Sequence, residues 1–268
     1  MKILLLPFFT VITFSNLFAD FAWVENVTKS LRQEIPLKSG VLGIPRTEST
    51  LISALEMTGV SCNKLQLPEM PSFFASSVAS YNALSFYKFC EKSNVSLIVD
   101  LRASDERSLW KDEADWSIFD EDYEDPIKIV RTTQFRDQQV LLEKMQISEI
   151  DFQCDRLHFL TWKDHSSISV LQLAFLIQKV LEFNPEERMR TAPLLVHCRG
   201  GIGRTGTFLT CLHLYLMKNQ LKSLSDKELE EKMDTLIVEE RRQVSPFFVE
   251  NEDQYALIKQ YAHFLRGN

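Results

Sequence analysis

The stretch "PLLVHCRGGIGRTGTF", residues 193–208, places a cysteine and an arginine on either side of a glycine-rich turn. Residues 193–196 are apolar on both faces, which predicts a short buried strand, and residues 208–217 are apolar almost all round, which predicts a buried helix. Glycines allow the loop between them to curl until successive backbone N–H groups point inward, and the positive end of the helix adds its field there. The segment therefore predicts an anion site with Cys198 at its centre.

The same field stabilises a thiolate, which makes Cys198 a candidate nucleophile at neutral pH. Arg204 offers a planar, two-pronged grip for the oxygens of a phosphate group. A nucleotide-binding glycine-rich loop is excluded, because it needs a lysine where this chain has Arg204. The simpler alternative is that Cys198 is only a small buried hydrophobe and that the glycines permit close packing. We favour the nucleophile because the whole string, and not only one cysteine with one arginine, is present.

The string from His197 to Thr205 resembles the signature loop of the cysteine-dependent protein tyrosine phosphatases, which reads His-Cys, five residues, Arg, then Ser or Thr. The resemblance implies that Cys198 is the nucleophile, that Thr205 assists the thiolate as leaving group, and that His197 tunes the thiolate. It implies neither a cofactor nor a metal. The substrate-binding residues that it implies are Arg199, Gly200, Gly201, Ile202, Gly203 and Arg204.

Expelling an alkoxide or phenolate also needs an acid, and the segment "LHFLTWKDH", residues 157–165, supplies a candidate. It resembles the family's Trp-Pro-Asp loop, which implies that Trp162 is the hinge of a mobile flap and that Asp164 is the general acid and later the base. Lys163 replaces the proline, so we expect the flap to be less restrained in φ. The alternative is that Asp164 and its neighbours, His165 and Ser166, only cap the helix predicted from about residue 167.

A third segment, "RRQVSPFFVENEDQY" at residues 241–255, resembles the family's glutamine loop, in which two glutamines four apart place the hydrolytic water. Gln254 matches the second glutamine, and Glu250 stands at the first. A carboxylate at that position is expected either to repel the phosphate dianion or to act as an extra base. The alternative is that Asn251 and Gln254 only form the start of a helix.

The substrate is less well determined than the reaction. The Asn-Arg-Tyr motif with which tyrosine-specific relatives stack the substrate ring is absent, and Phe73, Phe74 or Tyr81 are either pocket residues or, more often at helical spacing, core residues. The string "DLR" at residues 100–102 resembles dual-specificity and inositol-polyphosphate phosphatases, or simply forms ion pairs at the end of a sheet. We expect a phosphotyrosine-containing protein or peptide. The alternatives are a dual-specificity or inositol-polyphosphate phosphatase and, third, a phosphoprotein-binding module without turnover.

Length and composition favour a single enzyme domain, since 268 residues with 45% hydrophobic side chains suffice for one core. The alternation of strands and helices predicts an α/β fold with a central mixed, largely parallel sheet flanked by helices, similar to that of the protein tyrosine phosphatases. We place the catalytic domain at residues 40–268. Residues 72–92 have the spacing of a long helix, and strands are predicted at 96–102, 127–134 and 156–161.

Residues 1–19 have one lysine followed by a largely apolar run, which is typical of a secretory signal peptide or an N-terminal anchor, and residues 20–39 form a lead-in. The net charge of −7, without a basic stripe, excludes nucleic acid as a partner. We expect an exported protein without stable membrane association once the leader is removed. Five cysteines then raise a conflict with an oxidising compartment. It is resolved if the protein is delivered into a reducing host cytoplasm or if the loop shields Cys198.

Overall fold

The computed structural model describes residues 14–52, 60–77, 83–106, 115–118, 127–147, 150 and 152–267. The strands are β1 Leu37–Ser39, β2 Pro45–Thr47, β3 Cys62–Leu65, β4 Phe73–Ser76, β5 Leu97–Asp100, β6 Asp115–Ile118, β7 Ile127–Arg136, β8 Val140–Ile147, β9 Phe152–Phe159 and β10 Leu194–His197. The helices are α1 Phe14–Glu34, α2 Ala83–Lys92, α3 Val170–Phe183, α4 Glu186–Thr191, α5 Gly203–Leu216, α6 Lys218–Leu221, α7 Asp226–Gln243 and α8 Glu252–Gly267.

One mixed sheet contains eight of these strands in the order β3-β4-β10-β5-β9-β8-β7-β6, while β1 and β2 form a separate antiparallel pair. The parallel pairings are confined to the centre of the sheet, where β4, β10, β5 and β9 lie side by side. The remaining pairings are antiparallel, because β6 to β9 are chain neighbours that need no crossover helix. The predicted mixed sheet flanked by helices is confirmed, but the expectation that it is largely parallel is wrong, because four of the seven pairings between its described strands are antiparallel.

Strand β10 is buried on both faces, as its continuous apolar run predicts. Leu194 and Val196 belong to the larger core, and Leu195 belongs to a second core on the opposite face. Helix α5 is buried over most of its length and packs in the larger core with the helices of the C-terminal third. Together β10 and α5 hold the loop between them at the centre of the molecule.

The long helix predicted over residues 72–92 is wrong in its first part. Phe73–Ser76 form strand β4, which pairs in parallel with β10, and helix α2 begins only at Ala83. A short apolar run fits a helix and a buried strand equally well. Here the pairing with β10 stabilises the strand. The other predicted strands are confirmed at β5, β7 and β9, although β9 begins earlier than predicted.

Helix α1 runs without interruption across residue 19, the predicted end of the leader. Its side chains Val24 and Leu31 are buried, and Arg241 of α7 donates to the carbonyl of Val24 and to the hydroxyl of Thr28. Residues of the predicted lead-in therefore pack on the catalytic domain, while the leader and its removal stay predictions. Among the described helices, none combines the length and the apolar character that a membrane crossing requires.

Candidate active site

The cysteine of the loop lies directly after β10, at the carboxyl end of a central parallel strand, where α/β proteins commonly bind ligands. Cys198 is 3% exposed, and its Sγ accepts a hydrogen bond from the backbone N–H of Gly201 at 3.3 Å. Gly201 has φ 69, and a Cβ there would lie 2.2 Å from the carbonyl oxygen of Ser76, so only glycine fits. The loop thus curls round the thiol as its glycines predict.

A buried arginine that sequence reasoning missed fixes the direction of the loop peptides. Arg46, on β2, donates to the carbonyl of Gly200 through Nη2 and to that of Gly201 through Nη1 at 3.3 Å. In a trans peptide the N–H points opposite to the C=O, so this contact turns the N–H of residue 201 toward Cys198. Burial lowers the pKa of Arg46 to about 10. Nothing in the local sequence around Arg46 indicates this role.

The signature arginine is buried and surrounded by acceptors. Arg204 Nη1 donates to the carbonyl of Trp162 at 2.8 Å and to that of Leu101 at 3.2 Å, and Nη2 donates to Asp164 Oδ1 at 2.7 Å. Both guanidinium nitrogens also contact the carboxylate of Glu106. Burial works against the charge, but the hydrogen bond to Glu106 and other negative charges nearby raise the pKa of Arg204 above its usual value.

Glu106 is the second residue that sequence reasoning missed. A buried arginine requires a compensating carboxylate, so a partner for Arg204 was to be expected. The chain contains 37 acidic residues, however, and nothing marks Glu106 among them before the fold is known.

The predicted flap lies over the loop. Trp162 is fully buried, donates through Nε1 to the carbonyl of Ser166 at 2.9 Å, and meets the ring of Phe159 edge-on. Asp164 faces two arginines, because Arg199 Nη1 lies 3.4 Å from its Oδ2 while Arg204 holds its Oδ1. Trp162 therefore anchors a segment that carries Asp164 to the mouth of the site.

The capping interpretation of the flap residues is wrong. Ser169 is the N-cap of α3, and it forms a capping box with Gln172. Asp164 therefore does not cap α3 and is available for a catalytic role.

Gln254 and Glu250 both reach the start of α5. A Cβ on Gly203 would lie 2.6 Å from Glu250 Oε2 and 3.0 Å from Gln254 Nε2. Gln254 is fully buried, its Oε1 accepts from the N–H of Glu250 at 2.9 Å, and its Nε2 has no hydrogen-bond partner within the described part of the chain. The helix-start interpretation also holds, because Asn251 Oδ1 accepts from the N–H of Gln254 at 3.0 Å.

His197 directly precedes Cys198 in the chain, and Thr205 directly follows Arg204. Burial lowers the pKa of His197 to about 3 even though Asp100 opposes the shift, so the imidazole is neutral at pH 7. Thr205 Oγ1 is buried, and it has no hydrogen-bond partner among the described residues. His197 therefore carries no charge beside Cys198 at pH 7, and the hydroxyl of Thr205 is uncommitted within the described part of the chain.

The string "DLR" has a structural role. Arg102 donates to Asp100 through Nε at 3.0 Å and through Nη2 at 2.7 Å, and Arg156 Nη2 donates to the same carboxylate at 2.6 Å. The ion-pair interpretation is confirmed. Leu101 adds a functional contact, because its carbonyl accepts from Arg204.

Two aliphatic residues that sequence reasoning missed line the cavity above Cys198. The cavity has a volume of about 110 Å³, and Leu42 and Ile44 form part of its wall together with flap and loop residues. Leu42 has φ 62 and is 62% exposed, an unusual conformation for a branched side chain. Phe73 and Phe74 are buried core residues and do not line it, and Tyr81 lies outside the described residues.

The cavity at Cys198 is small because Asp164 and His165 of the flap lie over it. A larger groove of about 580 Å³ lies elsewhere, but the residues that line it include no cysteine or histidine. The smaller cavity is the one in which Cys198 lies together with Arg204 and Asp164. No three His, Cys, Asp or Glu side chains of the described residues are grouped as a metal site would require.

All five cysteines are unpaired thiols, and all are buried. Burial raises the pKa of Cys62 and of Cys154 to about 12, and it raises those of Cys90 and Cys211 well above the usual value. These four stay protonated at neutral pH. The Sγ of Cys198 accepts a hydrogen bond from a loop amide, and Arg199 and Arg204 line the same cavity.

Comparisons with known proteins agree with this geometry. At the fold level, the structure resembles the protein tyrosine phosphatase TcPTP1 of Trypanosoma cruzi with a TM-score of 0.72 and 18% identity, covering 94% of this chain and 92% of that one. It resembles TbPTP1 of Trypanosoma brucei with a TM-score of 0.73 and 20% identity, covering 94% and 93%.

In sequence, the receptor-type tyrosine-protein phosphatase eta of Mus musculus is 30% identical over 189 residues, which are 65% of this chain and 14% of that protein. Tyrosine-protein phosphatase 3 of Schizosaccharomyces pombe is 26% identical over 64% of this chain and 60% of its own length. The chain therefore spans a minor part of the receptor-type relative. The family model described as protein-tyrosine phosphatase matches residues 74–263. The chain belongs to the protein-tyrosine phosphatase family.

Proposed function

We propose that this protein hydrolyses phosphotyrosine in proteins or peptides through a phosphocysteine intermediate on Cys198. The observation that carries the proposal is the convergence of a nucleophile, an anion grip and an acid on one small cavity. Gly201 N–H points at Cys198 Sγ at 3.3 Å, and Arg204 holds Asp164 at 2.7 Å above the same loop. These are the three parts that cysteine-dependent transfer of a phosphoryl group needs.

In the first step, Cys198 Sγ attacks phosphorus in line while the bond from phosphorus to the tyrosine oxygen breaks. Arg204 and the inward N–H groups of the loop stabilise the charge on the three equatorial oxygens. Protonated Asp164 gives its proton to the departing phenolate oxygen, a contribution of about 10² to 10⁴ in rate. Because Arg204 holds the Asp164 carboxylate, the substrate phosphate displaces that carboxylate from the guanidinium as it enters.

In the second step, water attacks the phosphorus of the thiophosphate, and the thiolate of Cys198 leaves. Asp164, now ionised, takes the proton of the water. The unpartnered Nε2 of Gln254, at the start of α5, is placed to orient that water. The uncommitted hydroxyl of Thr205 is available to stabilise the leaving thiolate.

Phosphotyrosine is favoured over the alternative substrates by the lining of the cavity. Leu42 and Ile44 offer an apolar surface for a phenyl ring, in place of the absent Asn-Arg-Tyr motif. The carboxylates of Asp164 and Glu250 lie in the same wall as Arg199 and Arg204. A polyanion such as an inositol polyphosphate would meet repulsion there as well as attraction.

The proposal also covers location. Residues 1–19 act as a secretory leader, and the protein works where thiols stay reduced, as in a host cytoplasm after delivery. The five unpaired thiols support the second point. N-terminal sequencing of the exported protein tests the first, because an intact Met1 on the exported chain is inconsistent with a cleaved leader.

The substrate class is tested by phosphate release from a phosphotyrosine peptide, a phosphoserine peptide and inositol hexakisphosphate in parallel, under reducing conditions, with Cys198→Ser as the blank. We expect release from the phosphotyrosine peptide alone. Preference for the inositol substrate would overturn the substrate assignment. Tight peptide binding without turnover would instead support the binding-module alternative. That alternative is motivated by Lys163 and Glu250, which differ from the residues of the family's loop patterns.

A further inference from the structure

The residue that follows the acid in the flap contacts the residue that departs from the glutamine-loop pattern. His165 Nδ1 lies 3.3 Å from Glu250 Oε2, and His165 Nε2 lies 3.6 Å from Asp164 Oδ2. The imidazole therefore stands between the carboxylate of the acid and that of Glu250. This contact joins two segments that are far apart in sequence and that carry the two steps of the reaction.

A second hydrogen bond joins the same segments. Asn251 Nδ2 donates to the carbonyl of His165 at 3.2 Å. His165 has φ 54, a left-handed conformation that is uncommon outside glycine and that neighbouring contacts must maintain. The loop before α8 thus holds the flap both by a side chain and by the backbone at one residue.

The flap needs such support, because Lys163 stands where a proline would limit the backbone. We infer that Glu250 and His165 are positioning residues that form a latch, the Glu250–His165 latch, which holds the flap closed with Asp164 above Cys198. The inference rests on the proposed function, since it assigns the latch to the step in which Asp164 protonates the leaving group. The latch also explains why the carboxylate of Glu250 stands beside an anion site. The imidazole of His165 faces Glu250 Oε2, the oxygen that would otherwise face the phosphate.

Leaving-group dependence tests the latch. Loss of flap closure slows reactions that need the acid and spares those with an easily expelled leaving group. The two latch variants are Glu250→Gln and His165→Asn, and asparagine is chosen because it tolerates the left-handed backbone at residue 165. For each variant we expect kcat/KM for phenyl phosphate to fall about two- to five-fold, which is the range of one exposed ion pair. The value for 2,4-dinitrophenyl phosphate, whose leaving group needs no acid, should fall less than the value for phenyl phosphate. Equal losses for both substrates would overturn the latch, because general damage to the site acts on both.

A double variant separates the latch from a direct role of Glu250. If the two side chains act only through each other, Glu250→Gln with His165→Asn loses no more than either single change. Full additivity, or a loss with Glu250→Gln and none with His165→Asn, would overturn the latch in favour of direct catalysis by the carboxylate. Glu231→Gln, which removes an exposed carboxylate paired with Lys227 on α7, is the matched control.

A readout without turnover keeps this inference separate from the proposed function. The 5-fluorotryptophan resonance of Trp162, assigned with Trp162→Phe, reports on the base of the flap. We expect both latch variants to move it in the same direction and Glu231→Gln to leave it in place. An unmoved resonance would overturn the latch even if the enzyme is active, whereas a moved resonance in a chain without phosphatase activity would overturn only the proposed function.

Discussion

Arg204 Nη2 donates to Asp164 Oδ1 at 2.7 Å, so the carboxylate that we propose as the general acid occupies one terminal nitrogen of the arginine that we propose binds the phosphate. A carboxylate thus stands where an anionic phosphoryl oxygen would be bound. Binding of the substrate and release of Asp164 toward the leaving group are therefore parts of a single exchange.

Asp164→Asn should lower kcat for phosphotyrosine peptide by about 10² to 10⁴, because the acid is lost. The same change should strengthen competitive inhibition by inorganic phosphate, because the anion no longer displaces a carboxylate from Arg204. Steady-state kinetics with phosphate as inhibitor measure both effects. Unchanged kcat would show that the leaving group is protonated from elsewhere.

Arg46→Met should slow the alkylation of Cys198 by iodoacetamide at neutral pH and lower kcat/KM by about ten-fold, roughly 1.4 kcal/mol. The change removes both donors to the Gly200 and Gly201 carbonyls and one positive charge near the thiolate. Arg46→Lys, which keeps the charge, should lose less. The control is Arg242→Met, whose guanidinium is half exposed and pairs with Glu34. Equal alkylation rates in Arg46→Met and the unmodified chain would contradict the role of Arg46.

Glu106→Gln should raise KM and lower kcat/KM by about 10- to 100-fold, because the buried Arg204 loses one of its two carboxylate partners and part of what fixes its orientation. The measurement is the steady-state rate on a phosphotyrosine peptide, with the melting temperature recorded to exclude unfolding. Glu186→Gln, which removes an exposed pair with Arg190, serves as the control. A Glu106→Gln enzyme with native kinetics would mean that the backbone acceptors and Asp164 orient Arg204 without Glu106.

The buried neutral state of His197 predicts acid lability. The folded chain holds the pKa of His197 at about 3 against an ordinary value of 6.5, so the unfolded chain takes up the proton first as the pH falls. Stability is therefore fully present above pH 6.5 and is lost as the pH falls from 6.5 toward 3. Urea unfolding across this range should show a shallower loss for His197→Gln than for the unmodified chain. If both chains lose stability equally steeply as the pH falls, the acid lability comes from groups other than His197.

Local patterns predicted the elements whose signal is local. The glycine spacing and the flanking apolar runs predict the strand, loop and helix around Cys198, and the structure has β10 and α5 there. The helix wrongly predicted over residues 72–92 failed because β4 is specified by its neighbour β10, which lies far away in sequence. Periodicity alone does not contain that information.

The site residues divide in the same way. Cys198, Arg204 and Asp164 lie in recognisable strings, and the fold brings them together. Arg46 and Glu106 contact those residues from segments whose local sequence carries no recognisable motif. Only the tertiary packing places Arg46 next to the loop carbonyls. Supporting contacts of this kind are absent from any local pattern, although they decide where the amides and the guanidinium point.

The central claim is that Cys198 carries the phosphoryl group during hydrolysis of phosphotyrosine. Acid quenching within the first turnovers on a ³²P-labelled phosphotyrosine peptide, followed by peptide mapping, tests it directly. The account predicts label on the peptide that contains Cys198, more label in Gln254→Ala because hydrolysis of the intermediate is slowed, and none in Cys198→Ser. Phosphate release at the native rate from Cys198→Ser, or turnover without any label on the Cys198 peptide, would contradict it.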